Sequence, residues 1–238
     1  GIGVQDAKLL SSIKLAGLKV SLVIGPSREH EDTASDKTLS LPSLGLIRLS
    51  SMLAAHGARV ITKNFFASQD YSGQERAVLS DLKRLQARVA GAADPELSAL
   101  ISRLATALLA DSQDVVGLST MTQKTDLLVF LLLRRALRGS RKAPCVVVGG
   151  NYCGTSLTEA RLAEFDYVVE GEGEVPLLLI CSALIKGWDP ARIPGVRRFP
   201  ADGGPSQRSR LDHNLDLLVP PTLDGLDLSV YRCPFPGV

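Results

Sequence analysis

Apolar residues along this chain fall into short β-branched runs that alternate with longer segments of helical periodicity. The short runs predict five strands, over 18–26, 58–66, 115–119, 145–150 and 167–171. Helical spacing and capping signals predict helices over 42–57, 125–138, 157–165 and 175–186. Right-handed crossovers place such strands side by side in parallel. The pattern therefore predicts an α/β fold: a flavodoxin-like (Rossmann-like), doubly wound, five-stranded parallel sheet.

One stretch interrupts this alternation. Between the second and third strands, two series of apolar residues recur at helical spacing, separated by the turn sequence GAADP: Val78, Leu82, Leu85 and Val89, then Leu97, Leu100, Ile101, Leu104 and Leu108. They predict a helical hairpin inserted at 73–111.

The domain organisation follows from the same pattern. The α/β domain is expected at 18–187, after an N-terminal extension over 1–17. Residues 188–238 are rich in proline and arginine and predict an extension or linker, with a short hairpin near 196–199. Because the sequence stops at PFPGV with no terminating element, we expect the chain to be part of something longer.

Composition and charge narrow the class of protein. The 238 residues are 45% hydrophobic and carry 27 basic against 25 acidic groups, a net charge of +2. Such a balance argues against general binding to nucleic acid or to an anionic membrane. The longest apolar run, near 127–133, is far short of the ~20 residues that a bilayer span needs. With no secretory signal at the N-terminus, the expectation is a cytoplasmic protein with reduced thiols.

Three strand ends carry the candidate chemistry. They lie between Asp114 and Glu174, where each β-branched run ends in small or polar residues. The carboxyl ends of parallel strands share one edge of the sheet, which is where α/β proteins bind ligands. The candidate binding residues there are Ser119, Thr120, Thr122, Gly149, Gly150, Asn151, Tyr152, Gly171, Glu172 and Gly173.

The spacing of these residues excludes the usual phosphate-binding loops. Neither GxGxxG nor GxxxxGK[ST] occurs in the chain. In the GEGE loop, Glu172 and Glu174 place carboxylates where the following helix exposes its first amides, which is the position that a phosphate would need. Carboxylates and hydroxyls suit a ligand with amide donors. The corrin ring of cobalamin carries amide side chains and is compatible with that chemistry.

Each motif also has a purely structural interpretation. Hydroxyls after a strand cap the next helix, adjacent glycines permit a tight turn, and the GEGE carboxylates satisfy helix amides. Cys153 has no histidine or second cysteine close in sequence and is expected to be unreactive. The arginines of the C-terminal segment are expected to form a solvated surface, with contact to an acidic leader peptide or to a second domain as the alternative: Arg192, Arg197, Arg198, Arg208 and Arg210.

Four segments together resemble a known family. PSLGL (42–46), DVVGLSTMTQ (114–123), VVVGGNYCG (146–154) and DYVVEGEGE (166–174) resemble the N-terminal cobalamin-binding domain of B12-dependent radical SAM enzymes. The GGNYCG turn and the STMTQ loop are most similar to the enzymes of ribosomal peptide (bacteriocin-type) maturation. The resemblance covers about 18–187, and the tail near 217–231 is similar to the linker that precedes the radical SAM barrel.

The resemblance implies roles for particular residues. Leu44 and Gly45 would lie near the corrin face, and the hydroxyls at 119–122 would hydrogen-bond the nucleotide tail. The implied function is a cobalamin-binding module of a peptide-modifying, methyltransferase-type enzyme. The implied partners are a radical SAM barrel in the same polypeptide and a precursor peptide.

Two motifs of related proteins are missing. CxxxCxxC, whose thiolates hold a [4Fe4S] cluster, does not occur, so the cluster and S-adenosylmethionine are expected only in a C-terminal domain outside this sequence. DxHxxG, which supplies a histidine ligand to cobalt in other cobalamin domains, is also absent. We therefore expect no catalytic residue, no metal-ligating residue, and cobalamin bound without a histidine, since His30, His56 and His213 are unsuitably placed.

Two other functions stay open at this point. The chain could be a stand-alone cobalamin-binding module that senses the cofactor or carries a methyl group. It could also be a flavodoxin-like interaction domain with no cofactor, because a fold does not specify a function. The substrate, the modified atom and the choice between methylation and other radical chemistry are not encoded in the motifs.

Overall fold

A six-stranded sheet organises the computed structural model, which describes residues 4–25, 43–64, 71–110, 112–120, 124–150, 162–198 and 218–224. Within these residues the strand order is β2-β1-β3-β4-β5-β6. The first five strands are parallel and the sixth is antiparallel to β5. The strands are β1 (Lys19–Ile24), β2 (Arg59–Asn64), β3 (Val115–Ser119), β4 (Cys145–Gly149), β5 (Tyr167–Val169) and β6 (Val196–Arg197).

The order 2-1-3-4-5 of the parallel strands is that of flavodoxin-like sheets. The predicted total of five strands is wrong, because β6 adds a sixth strand at the place where a short hairpin was expected. Arg197 of β6 donates to the Glu170 carboxylate at 2.9 Å, just beyond the end of β5. A strand of two residues has too few positions to show a periodicity, so the sequence pattern could not reveal it.

Helices cover both faces of the sheet. They are α1 (Val4–Ser12), α2 (Leu44–Ala55), α3 (Gly73–Ser80), α4 (Leu82–Val89), α5 (Pro95–Leu109), α6 (Lys124–Arg138) and α7 (Glu174–Lys186), followed by a 3₁₀ turn at Pro190–Arg192. The helix predicted over 157–165 falls mostly outside the described residues.

The insertion differs from the predicted hairpin of two helices. Among the described residues it contains three helices, because the first predicted helix breaks at Asp81. Asp81 has an extended backbone, and its carboxylate accepts from the amides of Lys83 and Arg84 at 3.0 and 3.1 Å. An N-cap of this kind starts a new helix inside a continuous apolar pattern.

Two hydrophobic cores lie on opposite faces of the sheet. Helices α3 to α6 bury one face, with Phe130 among the fully buried side chains. On the other face α2 and α7 pack against β1, β3 and β4, and α1 contributes Leu10 to this second core. The amide of Leu15 donates to the carbonyl of His56 at 2.7 Å, which joins residues 1–17 to the end of α2. Within the described ranges, no helix is long and apolar enough to cross a membrane.

Candidate functional site

A cavity of about 330 Å³ opens at the carboxyl ends of the parallel strands, between the sheet and helices α2 and α7. Its lining comes from β1, β3, β4 and β5, from the residues that follow β3, β4 and β5, and from the first two turns of α2 and the first turn of α7. The lining residues are Leu22, Ser43, Gly45, Leu46, Leu49, Gly117, Leu118, Ser119, Thr120, Val147, Gly149, Gly150, Val169, Gly171, Glu172, Gly173, Glu174 and Leu177.

Gly117 keeps the floor of this cavity open. It occupies the middle of β3, where a β-branched residue would normally stand. A Cβ atom at this position would lie 2.9 Å from Cδ2 of Leu22 and 3.9 Å from Cδ2 of Leu177, two side chains that also line the cavity. A glycine inside a strand often marks such a close approach.

The two helices begin at the mouth of the cavity. The Ser43 hydroxyl caps α2 by accepting from the amide of Leu46 at 3.4 Å. Helix α7 has Gly173 at its N-cap, which offers no side chain to the first amides. Two helix N-termini therefore direct positive dipole ends towards the same opening.

Thr120 joins the ends of β3 and β4. Its amide and its hydroxyl both donate to the carbonyl of Gly149, at 2.8 and 2.9 Å. Gly150 has φ of +108°, and a Cβ there would collide with the Thr120 carbonyl oxygen. The close approach that requires Gly150 is thus to the chain's own backbone. The Thr120 hydroxyl thus ties the ends of two strands together.

One charged pair borders the cavity. The Glu174 carboxylate is 7% exposed and lies 3.2 Å from Nε of Arg48, whose side chain is 29% exposed. This contact links the first turn of α7 to α2. Among the described lining residues, the titratable side chains are Glu172 and Glu174. The polar part of the lining is therefore rich in hydrogen-bond acceptors.

The structure brings together eight of the residues predicted from sequence: Gly45, Ser119, Thr120, Gly149, Gly150, Gly171, Glu172 and Gly173. Leu44 lies beside them at the start of α2, but its side chain is 63% exposed and does not line the cavity. Thr122, Asn151 and Tyr152 lie outside the described residues.

Several lining residues were not predicted. Leu46 and Leu49 have the spacing of a core-facing helix and gave no signal of a cavity. Gly117 did give a sequence signal, because a lone glycine inside a β-branched run is itself unusual. Glu174 was not among the candidate binding residues, although the structure places it in the lining with Arg48 as its partner.

The described cysteines lie in the sheet and the second core. Burial raises the pKa of both the Cys145 and the Cys181 thiols to about 12, so neither is a ready nucleophile. His56, at the end of α2, places Nδ1 3.1 Å from the carbonyl of Ile13. Among the described residues, no cluster of His, Cys, Asp or Glu has the arrangement of a metal site.

No protein-family model matches the chain, and no curated protein matches it. The similar solved structures include two of TsrM, a radical S-adenosylmethionine methyltransferase from Kitasatospora setae. The structure with tryptophan substrate and a SAM analogue shares 20% identity at a TM-score of 0.44, over 75% of this chain and 28% of that one. The structure with cobalamin and a [4Fe-4S] cluster also shares 20% identity at a TM-score of 0.44, and the match covers 80% of this chain and 29% of that one. This chain thus spans less than a third of TsrM.

Proposed function

We propose that this chain is the cobalamin-binding module of a B12-dependent radical SAM enzyme of the peptide-modifying, methyltransferase type. The observation that supports it is the cavity at the carboxyl ends of the strands, where eight residues chosen from sequence motifs meet. Open α/β sheets bind their ligands at this edge. The assignment to peptide maturation rests on GGNYCG and STMTQ, which lie partly outside the described residues.

The size of the cavity fits part of cobalamin. Its volume of about 330 Å³ is at the lower end of the ~300–1,000 Å³ common for small-molecule pockets. We infer that a slender appendage such as the nucleotide tail, rather than the whole corrin macrocycle, enters this cavity. Apolar side chains from the sheet and from α2 and α7, such as Val147 and Leu177, provide walls for a flat heterocycle.

The polar groups of the lining are also compatible with cobalamin. Carboxylates of Glu172 and Glu174 near the mouth disfavour a free phosphate and accept hydrogen bonds from amide donors, which the corrin carries. Glycines at 45 and 171 would allow the macrocycle to approach the backbone closely.

The protein's share of the reaction is to bind and orient. Gly45, Ser119 and Gly173 would contact the cofactor, and the apolar walls would exclude water from the part inside the cavity. Bound cobalamin supplies methyl-transfer chemistry, which the cofactor carries itself. We propose binding without a histidine ligand, and we place the [4Fe4S] cluster and S-adenosylmethionine in a barrel domain that this sequence does not contain.

Cofactor retention tests the proposal. Purified chain is mixed with hydroxocobalamin and desalted, and the corrin absorbance of the protein fraction is recorded. Gly117→Ala places one methyl group in the cavity and should weaken retention about tenfold or more, because a filled site resists added volume. Gly73→Ala is the matched control, since a Cβ at Gly73 meets nothing within 4 Å.

Absence of corrin absorbance from the wild-type protein fraction would contradict the proposal and favour an interaction domain without cofactor. Equal retention by wild type and Gly117→Ala would place the cofactor outside this cavity. Gly150 is a poor probe, because any side chain there collides with Thr120 whether or not a ligand is bound.

A further inference from the structure

A short piece of the C-terminal region packs on helix α2. Residues 218–224, which we call the C-terminal strap, contact the helix through Thr222 and Ser51. Leu218 packs against the second core, next to the elements that line the cavity. The strap therefore belongs to the packed domain, although the sequence pattern predicted only a linker or extension for this region.

A buried hydroxyl fastens the strap. Ser51 on α2 is 4% exposed, and its Oγ accepts from the amide of Thr222 at 2.8 Å. The same hydroxyl lies 2.8 Å from the carbonyl of Ile47 and 3.2 Å from the carbonyl of Thr222. The Ser51 hydroxyl has a single proton and donates to one acceptor at a time, and the Ile47 carbonyl is nearer than the Thr222 carbonyl. Ser51 thus connects the helix backbone to the strap backbone.

The sequence of the strap explains why this contact falls on Thr222. Pro220 and Pro221 have no N–H group and hold the backbone extended. Thr222 supplies the first amide donor after them, on a segment with little conformational freedom to lose. A hydrogen bond to a pre-extended strap costs less ordering entropy than one to a flexible loop.

Helix α2 transmits this contact to the cavity. Leu46 and Leu49 line the cavity, and Arg48 contacts Glu174. Ser51 lies within one helical turn of Arg48 and Leu49. We propose that the C-terminal strap clamps α2 and so fixes the wall of the cavity, with Ser51 as the positioning residue. The effect on cofactor release rests on the proposed function, whereas the clamp itself does not.

Two pairs of matched variants in the full chain test the clamp. Thr222→Pro removes the amide donor, whereas Thr222→Ala keeps it. Ser51→Val removes the hydroxyl, whereas Ser51→Thr keeps it at nearly the same side-chain volume. Hydrogen exchange of the α2 amides should be about fivefold faster in Thr222→Pro and Ser51→Val than in their partners, the size expected for one net hydrogen bond.

Equal exchange within both pairs would overturn the clamp. The second measurement is the rate of hydroxocobalamin release, which should rise in the same two variants by a similar factor. If wild type retains no cobalamin, the proposed function fails while the exchange data still decide the clamp. If exchange responds and release does not, the strap holds α2 without setting the cavity wall, and that part of the inference is wrong.

Discussion

At the scale of single residues, glycines decide the shape of the site for different reasons. The pair Gly149–Gly150 was predicted from sequence as a turn or a ligand approach. The structure assigns Gly150 to contact with Thr120, because its positive φ and the nearby carbonyl leave no room for a side chain. At Gly45 a Cβ would meet only Ser43 Oγ, at 3.8 Å, which is ordinary contact. Sequence can mark a glycine as unusual, but the atom that approaches it comes from a distant part of the chain.

This difference predicts opposite effects on stability. Gly150→Ala should lower the free energy of unfolding by about 1–3 kcal/mol, because it adds backbone strain and a collision. Gly45→Ala, in the first turn of α2, should leave stability unchanged or raise it by up to about 1 kcal/mol. Urea unfolding of both variants gives the comparison. A Gly150→Ala protein as stable as wild type would show that the turn relaxes freely.

At the scale of elements, α4 and α5 are joined by ion pairs at their ends. Arg84 on α4 donates to both carboxylate oxygens of Asp94 at 2.9 and 2.8 Å, and Asp94 also caps α5. The hydrogen bonds from Arg84, with that from the Leu97 amide, lower the pKa of Asp94 to about 2. The GAADP turn was predicted from sequence, whereas the partner of its aspartate depends on how α4 and α5 pack together.

The lowered pKa predicts a pH-dependent contribution to stability. A carboxyl group with a folded-state pKa near 2 and an unfolded-state pKa near 4 stabilises the fold above pH ~4, and this contribution is lost as pH falls towards 2. Asp94→Asn keeps a good N-cap but removes the charge. The difference in unfolding free energy between wild type and Asp94→Asn should therefore shrink between pH 5 and pH 2. Urea titrations across that range provide the measurement, and a pH-independent difference would contradict the assignment.

At the scale of the whole molecule, the sequence predicted what depends on local pattern. The five parallel strands were found because their β-branched runs end in turn residues. Helix α7 was predicted over 175–186, and in the structure it ends at Gly187, which has φ of +73°. The break at Asp81 is a local N-cap inside a continuous apolar pattern, whereas the two-residue strand β6 and the strap contact at Ser51 depend on packing between distant segments. For the same reason, Leu46 and Leu49 could not be told apart from ordinary core residues before the cavity was seen.

The labelling rate of one buried thiol, Cys181, reports the global stability of the fold. Cys181 is fully buried in the second core, and burial raises the pKa of its thiol to about 12. In a variant with Cys145, Cys153 and Cys233 replaced by serine, labelling of Cys181 at neutral pH should be about 10³-fold or more slower than that of a free thiol. The rate should rise with urea in step with unfolding. Rapid labelling without denaturant would show that α7 opens locally.

The two helical walls of the cavity come from opposite ends of the described domain. Helix α2 spans Leu44–Ala55 and α7 spans Glu174–Lys186, with four strands and the insertion between them. Ribosomes extend the chain from its N-terminus, so the first wall is synthesised long before the second. The pocket does not exist until α7 has left the exit tunnel and packed on the sheet. Under the proposed function, cobalamin would therefore meet no binding site early in translation, and its loading would follow folding rather than guide its start.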